Sequence, residues 1–118
     1  MVDDRWPGDW LRGVLELCVL GALADGPTYG YAIAQRLERA GLGVVRGGTL
    51  YPLLARLQAE TLVEAHWQAG EGGPGRKYFT LTTAGRTELA ARAALWARFV
   101  DRTWRLLPPA EEIRHEQT

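Results

Sequence analysis

Apolar positions recur along most of this chain with a helical period and switch to a strand-like pattern once. Between Asp9 and Ala24, Trp10, Val14, Leu17 and Cys18 keep one stripe, while Leu11, Leu15, Val19 and Ala22 keep an adjoining one. Two apolar stripes on one helix predict burial on more than one side. Asp9 is placed to cap the start of this helix, and Asp25-Gly26-Pro27 to stop it. Thr28 then caps a second helix, YGYAIAQRLERA, in which Tyr29, Ile33, Leu37 and Ala40 share a face. The glycines of GLG end it, since glycine readily takes the left-handed cap conformation. A third helix carries Leu50, Leu53, Leu54 and Leu57 on its apolar side and runs out near Ala59.

Two β-prone runs follow, LVEAHW (62–67) and RKYFTLT (76–82), around the glycine-rich QAGEGGPG. They predict a hairpin with a long, flexible connection. Helical spacing then returns from Thr83 to Leu107, where Pro108-Pro109 end it. Leu89, Ala93, Trp96, Val100, Thr103 and Leu107 alternate spacings of four and three, which is a heptad seam. Three short helices cannot cover a seam of that length, so a partner chain is expected, most simply a homodimer. The order describes a mainly α fold with a small β-hairpin. Residues 1–82 form a winged helix-turn-helix and residues 83–107 a long C-terminal dimerisation helix. Residues 108–118 read as a polar, disordered tail.

The 118 residues fit one modest core and a dimer interface. The longest apolar run, Leu15 to Ala24, falls short of the roughly 18 residues a membrane span needs. The acidic start MVDDRWPGDW is unlike a secretion signal, so a cytoplasmic protein is expected. Cys18 stands alone inside an apolar helix, which excludes a disulfide framework and reads as a core thiol. His66 and His115 lack a cysteine or carboxylate at metal-ligand spacing, and neither a metal nor a cofactor is expected. GEGGPGRK superficially resembles a phosphate loop. In it, however, Arg76 separates the last glycine from Lys77, Tyr78 follows, and the segment lies between strands instead of before a helix. No nucleophile and base stand out, so the chain does not read as an enzyme.

The formal net charge is zero, which permits a nucleic-acid surface without announcing one. Candidate contacts come from position. Capped at Gly48 or Thr49, the third helix would hold Pro52 in its first turn, where a missing N–H removes little. Thr49 and Tyr51 would then stand at a phosphate-favouring helix N-terminus, with Arg56 two turns along. The alternative is a turn-capped core helix with Tyr51 packed against its own domain. In the hairpin, Arg76 and Lys77 sit at the base of a glycine-rich tip and would contact phosphate or the minor groove.

The same residues carry a resemblance. GGTLYPLLARLQAETLV resembles the recognition-helix motif of the PadR family of bacterial transcriptional regulators, LADGPTYGYAIAQRL its helix one to helix two junction, and GRKYFTLTTAGR its second wing strand and entry to the last helix. The similarity spans residues 11–105. It implies a dimeric, ligand-responsive repressor on a palindromic operator, of the short type with a single C-terminal helix. It also implies that Thr49 and Tyr51 face DNA and that Arg76 and Lys77 form the basic wing. In some short members a tryptophan on the last helix lines a pore at the dimer centre and stacks flat aromatic compounds. Trp96 holds that place, as a receptor or as seam packing. Trp10, Gly13 and Leu17 would form the facing wall, and Glu16 would offer a negative charge to a cationic compound. The competing readings are a winged-helix protein-interaction module and a small-molecule carrier.

Overall fold

The computed structural model describes residues 6–70, 72–109 and 111. Helix α1 (Gly8–Ala22) is followed by a two-residue strand β1 (Thr28–Tyr29) and helix α2 (Gly30–Leu37). A wider π-type turn, Glu38–Leu42, ends α2 with Gly41 at φ 92°, the left-handed position expected of that glycine. Then come α3 (Gly47–Ala59), strands β2 (Val63–Gly70) and β3 (Gly73–Leu81), and the long α4 (Thr83–Trp104). The sheet is antiparallel in the order β1-β3-β2. The expected mainly α winged helix is present, and its hairpin gains a third strand that periodicity did not show.

One apolar core joins these pieces. Leu15, Val19, Leu20 and Leu23 from α1 and its end meet Ile33 and Leu37 of α2, Leu50, Leu53, Leu54 and Leu57 of α3, and Val63, Phe79 and Leu81 of the sheet. All four leucines of the third-helix stripe are therefore buried. The two stripes of α1 separate by role. Leu11, Leu15, Cys18 and Val19 serve the core, whereas Leu17 turns toward α4. Cys18 is half-buried, not fully buried, and burial pushes its thiol pKa up.

Element starts differ from the sequence expectation in three places. Pro7 precedes α1 at its cap, so Asp9 lies within the first turn and pairs with Arg12. Tyr29 is the N-cap of α2 in place of Thr28, because Thr28 and Tyr29 are held extended by pairing with Phe79 and Tyr78. Helix α3 starts earlier than expected, since the Arg46 carbonyl accepts from the Thr49 and Leu50 amides at 3.0 and 2.9 Å. Pro52 is thus inside the helix. Its missing N–H leaves the Gly48 carbonyl without its helical donor, and Gly48 is exposed, so that carbonyl is open to solvent.

The Thr82 hydroxyl caps α4 by accepting from the Gly85 amide at 2.9 Å, and it donates to the Thr61 carbonyl at 2.7 Å. Leu107 lies beyond the end of α4 and is 53% exposed, so the helical seam stops three residues earlier than the periodicity predicts. The arm projects from the core. The molecule measures 62 × 33 × 21 Å with a radius of gyration of 17.5 Å. A compact chain of this length would have about 13.5 Å. Of the tail assigned to 108–118, only 108, 109 and 111 are among the described residues; His115 lies outside them.

Candidate nucleic-acid interface and ligand groove

The N-terminal half of α3 is uncovered. Gly47, Gly48, Thr49 and Tyr51 are exposed while Leu50 between them is buried, so the helix turns one face inward and offers the other. Tyr51 is 51% exposed, and its ring leans back over Gly30 and Gly47. A side chain at position 30 would collide with the Tyr51 hydroxyl, so Gly30 makes room for it at the start of α2. Tyr51 packs on its own domain and still shows half its surface.

The wing is more ordered in pattern than expected. Most of QAGEGGPG belongs to the strands, which pair as far as Gly70 with Gly73, with an irregularity between Gln68 and Gly70. A Cβ at Gly70 or Gly75 would come within 2.8 Å of the Pro74 carbonyl oxygen or 2.9 Å of the Gln68 one. Those glycines let the two strands run close, rather than making the loop pliable. Of the wing glycines only Gly72, at φ 67°, needs glycine for its backbone.

Arg76 and Lys77 are neighbours on one strand and so point to opposite faces of the wing. The Arg76 guanidinium lies 4.5 Å above the Tyr29 ring, and Tyr29 meets Tyr78 edge-on at 5.5 Å. The Lys77 ammonium lies 5.7 Å from the Phe79 ring on the other face, the side that also carries Trp67, 70% exposed. The two cations therefore do not form one patch.

Between α1 and α4 runs an open groove of about 770 Å³. Of the residues the resemblance suggested for an effector, Gly13, Leu17 and Trp96 line it and Trp10 does not: it stands in the first turn of α1, 67% exposed and outside the lining. Leu95 and Phe99 are lining residues that the heptad reading missed. They form a helical stripe beside the seam, spaced by four, and that spacing was available in the sequence. Trp96 and Phe99 lie 5.9 Å apart with their rings tilted by 32°. Of the other seam residues, Leu89 packs against the core, Ala93 is exposed, and Val100 and Thr103 are half-buried.

The charge of the groove reverses one expectation. Arg12, Arg92, Arg98 and Arg102 line it against the single acid Glu16. Glu16 is already committed: its Oε1 accepts from Arg92 at 2.7 Å and its Oε2 from Arg56 at 3.4 Å. Arg92 also donates to Glu88 at 2.5 Å. Hydrogen bonds to Glu16 and Glu88 raise the Arg92 pKa further, in favour of the charged guanidinium. Glu16 is thus no free counter-charge for a cation. Arg56 reaches toward α1 through this pair, with its side chain 60% exposed.

Among the described residues no group of three or more His, Cys, Asp or Glu gathers as a metal site, and no helix is long and apolar enough to cross a membrane. The profile of the transcriptional regulator PadR-like family matches residues 19–91. An uncharacterized 37.1 kDa protein of a Streptomyces fradiae transposon is 40% identical over 96 residues, covering 81% of this chain and 27% of its own length. A PadR-like transcriptional regulator from Bacillus cereus superposes with a TM-score of 0.78 at 34% identity, over 86% of this chain and 99% of that one. Bacillus subtilis PadR, solved with operator DNA, superposes with a TM-score of 0.62 at 28% identity, over 68% of this chain and 45% of its own. The chain belongs to the PadR-like family of transcriptional regulators, not to an enzyme family.

Proposed function

We propose that this chain is a DNA-binding repressor that acts in the cytoplasm as a homodimer on a palindromic operator and responds to a planar aromatic effector. The observation that carries the reading is the exposed N-terminal half of α3, Gly47 to Tyr51, in a fold shared with a protein solved on operator DNA. Each protomer lays α3 in the major groove, with half-sites about one helical turn apart. Thr49 and Tyr51 supply hydroxyls at that end of the helix. Arg76 and Lys77 bring charge to the flanking backbone from the two faces of the wing. Arg56 adds charge from the last turn of α3.

The effector would lie in the groove between α1 and α4, stacking on Trp96 and Phe99. The arginine-rich lining suits a neutral or anionic compound better than a cation. Ligand binding moves the dimer between conformers only as far as its affinity for them differs. The test is a fluorescence-anisotropy titration of fragments of the chain's own promoter region, repeated at several salt concentrations. Tight, salt-dependent binding to one fragment with a dyad sequence is expected. Absent or salt-independent binding would leave the winged helix as a protein-interaction module or a carrier.

A further inference from the structure

Glu16 sits where three helices meet, and its two oxygens serve arginines with different surroundings. Arg92 is a groove residue on α4, and Arg56 rides on α3 with Thr49 and Tyr51. The carboxylate is 28% exposed, so its unit charge is only partly screened. That single charge is divided unequally: the 2.7 Å contact to Arg92 takes the larger share and the 3.4 Å contact to Arg56 the smaller. Arg92 can release Glu16 without being left unpaired, because Glu88 holds its Nε at 2.5 Å.

We propose that Glu16 is a positioning residue that couples the groove to the recognition helix, by partitioning its charge between Arg92 and Arg56. The inference rests on the DNA-binding reading. When a groove occupant engages the Arg92 guanidinium, Glu16 closes on Arg56. A guanidinium neutralised in that way attracts DNA phosphate less, and binding weakens. When Arg92 holds Glu16, Arg56 keeps its charge for DNA. The arrangement needs no change of fold, only a change of partner across α1.

Substitutions of the three residues, read by salt-resolved anisotropy on the operator fragment, test this directly. Arg92→Gln, in the groove, should weaken DNA binding by roughly two- to fivefold, the range of one partly exposed ion pair. It should also flatten the slope of log affinity against log salt by up to about 0.9 per protomer. Glu16→Gln should do the opposite, tightening binding and steepening the slope. The double substitution Arg92→Gln/Glu16→Gln should match Glu16→Gln alone, and in an Arg56→Gln background neither change should register. A merely structural role for Glu16 would lower affinity in every variant and leave the salt slope in place, which overturns the proposal. Should Arg92→Gln fail to fold, Arg92→Lys keeps the charge, loses the two-acid fork and should move affinity the same way. Wild-type protein that binds no DNA refutes the function beneath the inference. Wild-type protein that binds while Arg92→Gln and Arg92→Lys change nothing overturns the coupling alone.

Discussion

At position 85 a methyl group has no room: a Cβ there would overlap the Leu62 carbonyl oxygen. That carbonyl is fixed, because it accepts from the Thr82 amide at 3.1 Å, and Thr82 in turn caps α4. Gly85 is the one fully buried residue of α4, so it sets how closely the arm joins the wing domain. Gly85→Ala should cost about 1–3 kcal/mol of stability through forced overpacking. A thermal melt checks it, with a fall of roughly 4–8 °C per kcal/mol expected and an unchanged midpoint counting against the close approach. Cys18 gives a second test at this scale. Burial raises its thiol pKa above the ordinary 9.0, so the reactive thiolate is scarcer than in an open cysteine at any pH below that value. Alkylation by iodoacetamide in the native protein should lag behind a free thiol, and its rate should climb only at higher pH. Native alkylation as fast as in denaturant would show the thiol to be open.

The element scale is where pattern and structure part company in an instructive way. Every helix was legible because a buried helix face writes itself as apolar residues three and four apart, as Leu50, Leu53, Leu54 and Leu57 do. Strand β1 was not, because two residues, Thr28 and Tyr29, are too few to carry a period; only their pairing with β3 defines them. The tip of the wing was read as a loop since glycine signals both turns and close strands, and nothing in GEGGPG separates the two. Which residue begins a helix was equally hard to read: Arg46 and Pro7 hold those places through backbone geometry, with no side-chain cap. Of the candidate ligand residues that the family resemblance suggested, Gly13, Leu17 and Trp96 line the groove, but charge pairing across 76 residues, Glu16 to Arg92, leaves no local signature. The corrected wing also changes what its mutation should do. Arg76 and Lys77 lie on opposite faces, so their contributions should be separable and nearly additive. Each single alanine variant should flatten the salt slope by up to about 0.9 per protomer, and the double by about twice that, with sequence preference unchanged. Loss of the whole effect in one of the two singles would assign the DNA side of the wing to that face.

For the whole molecule the decisive feature is an arm whose apolar residues have nothing to cover them. Leu95, Phe99 and Trp104 are 58%, 59% and 63% exposed, and Trp96 is 42% exposed. Under the proposed homodimer, these residues belong to the association surface and a second copy of the same helix covers them. The elongated shape, 62 Å in its longest dimension, leaves that arm projecting from the core. A two-fold pairing of α4 with its copy would also close the open side of the groove, so that dimerisation and effector binding share Trp96 and Phe99. Phe99→Asp separates these ideas from a monomeric protein, because a charge on a solvent-facing helix position costs a monomer little. Sedimentation equilibrium should give twice 13.1 kDa for the wild type and 13.1 kDa for the variant. The wild-type melting midpoint should rise with protein concentration, as it must when folding and association are linked, and the variant's should not. Operator binding should fall steeply in the variant, because two half-sites are no longer gripped by one particle. A wild type that sediments at 13.1 kDa and melts independently of concentration would falsify the pairing. The exposed arm would then have to be read as the docking surface for a different protein.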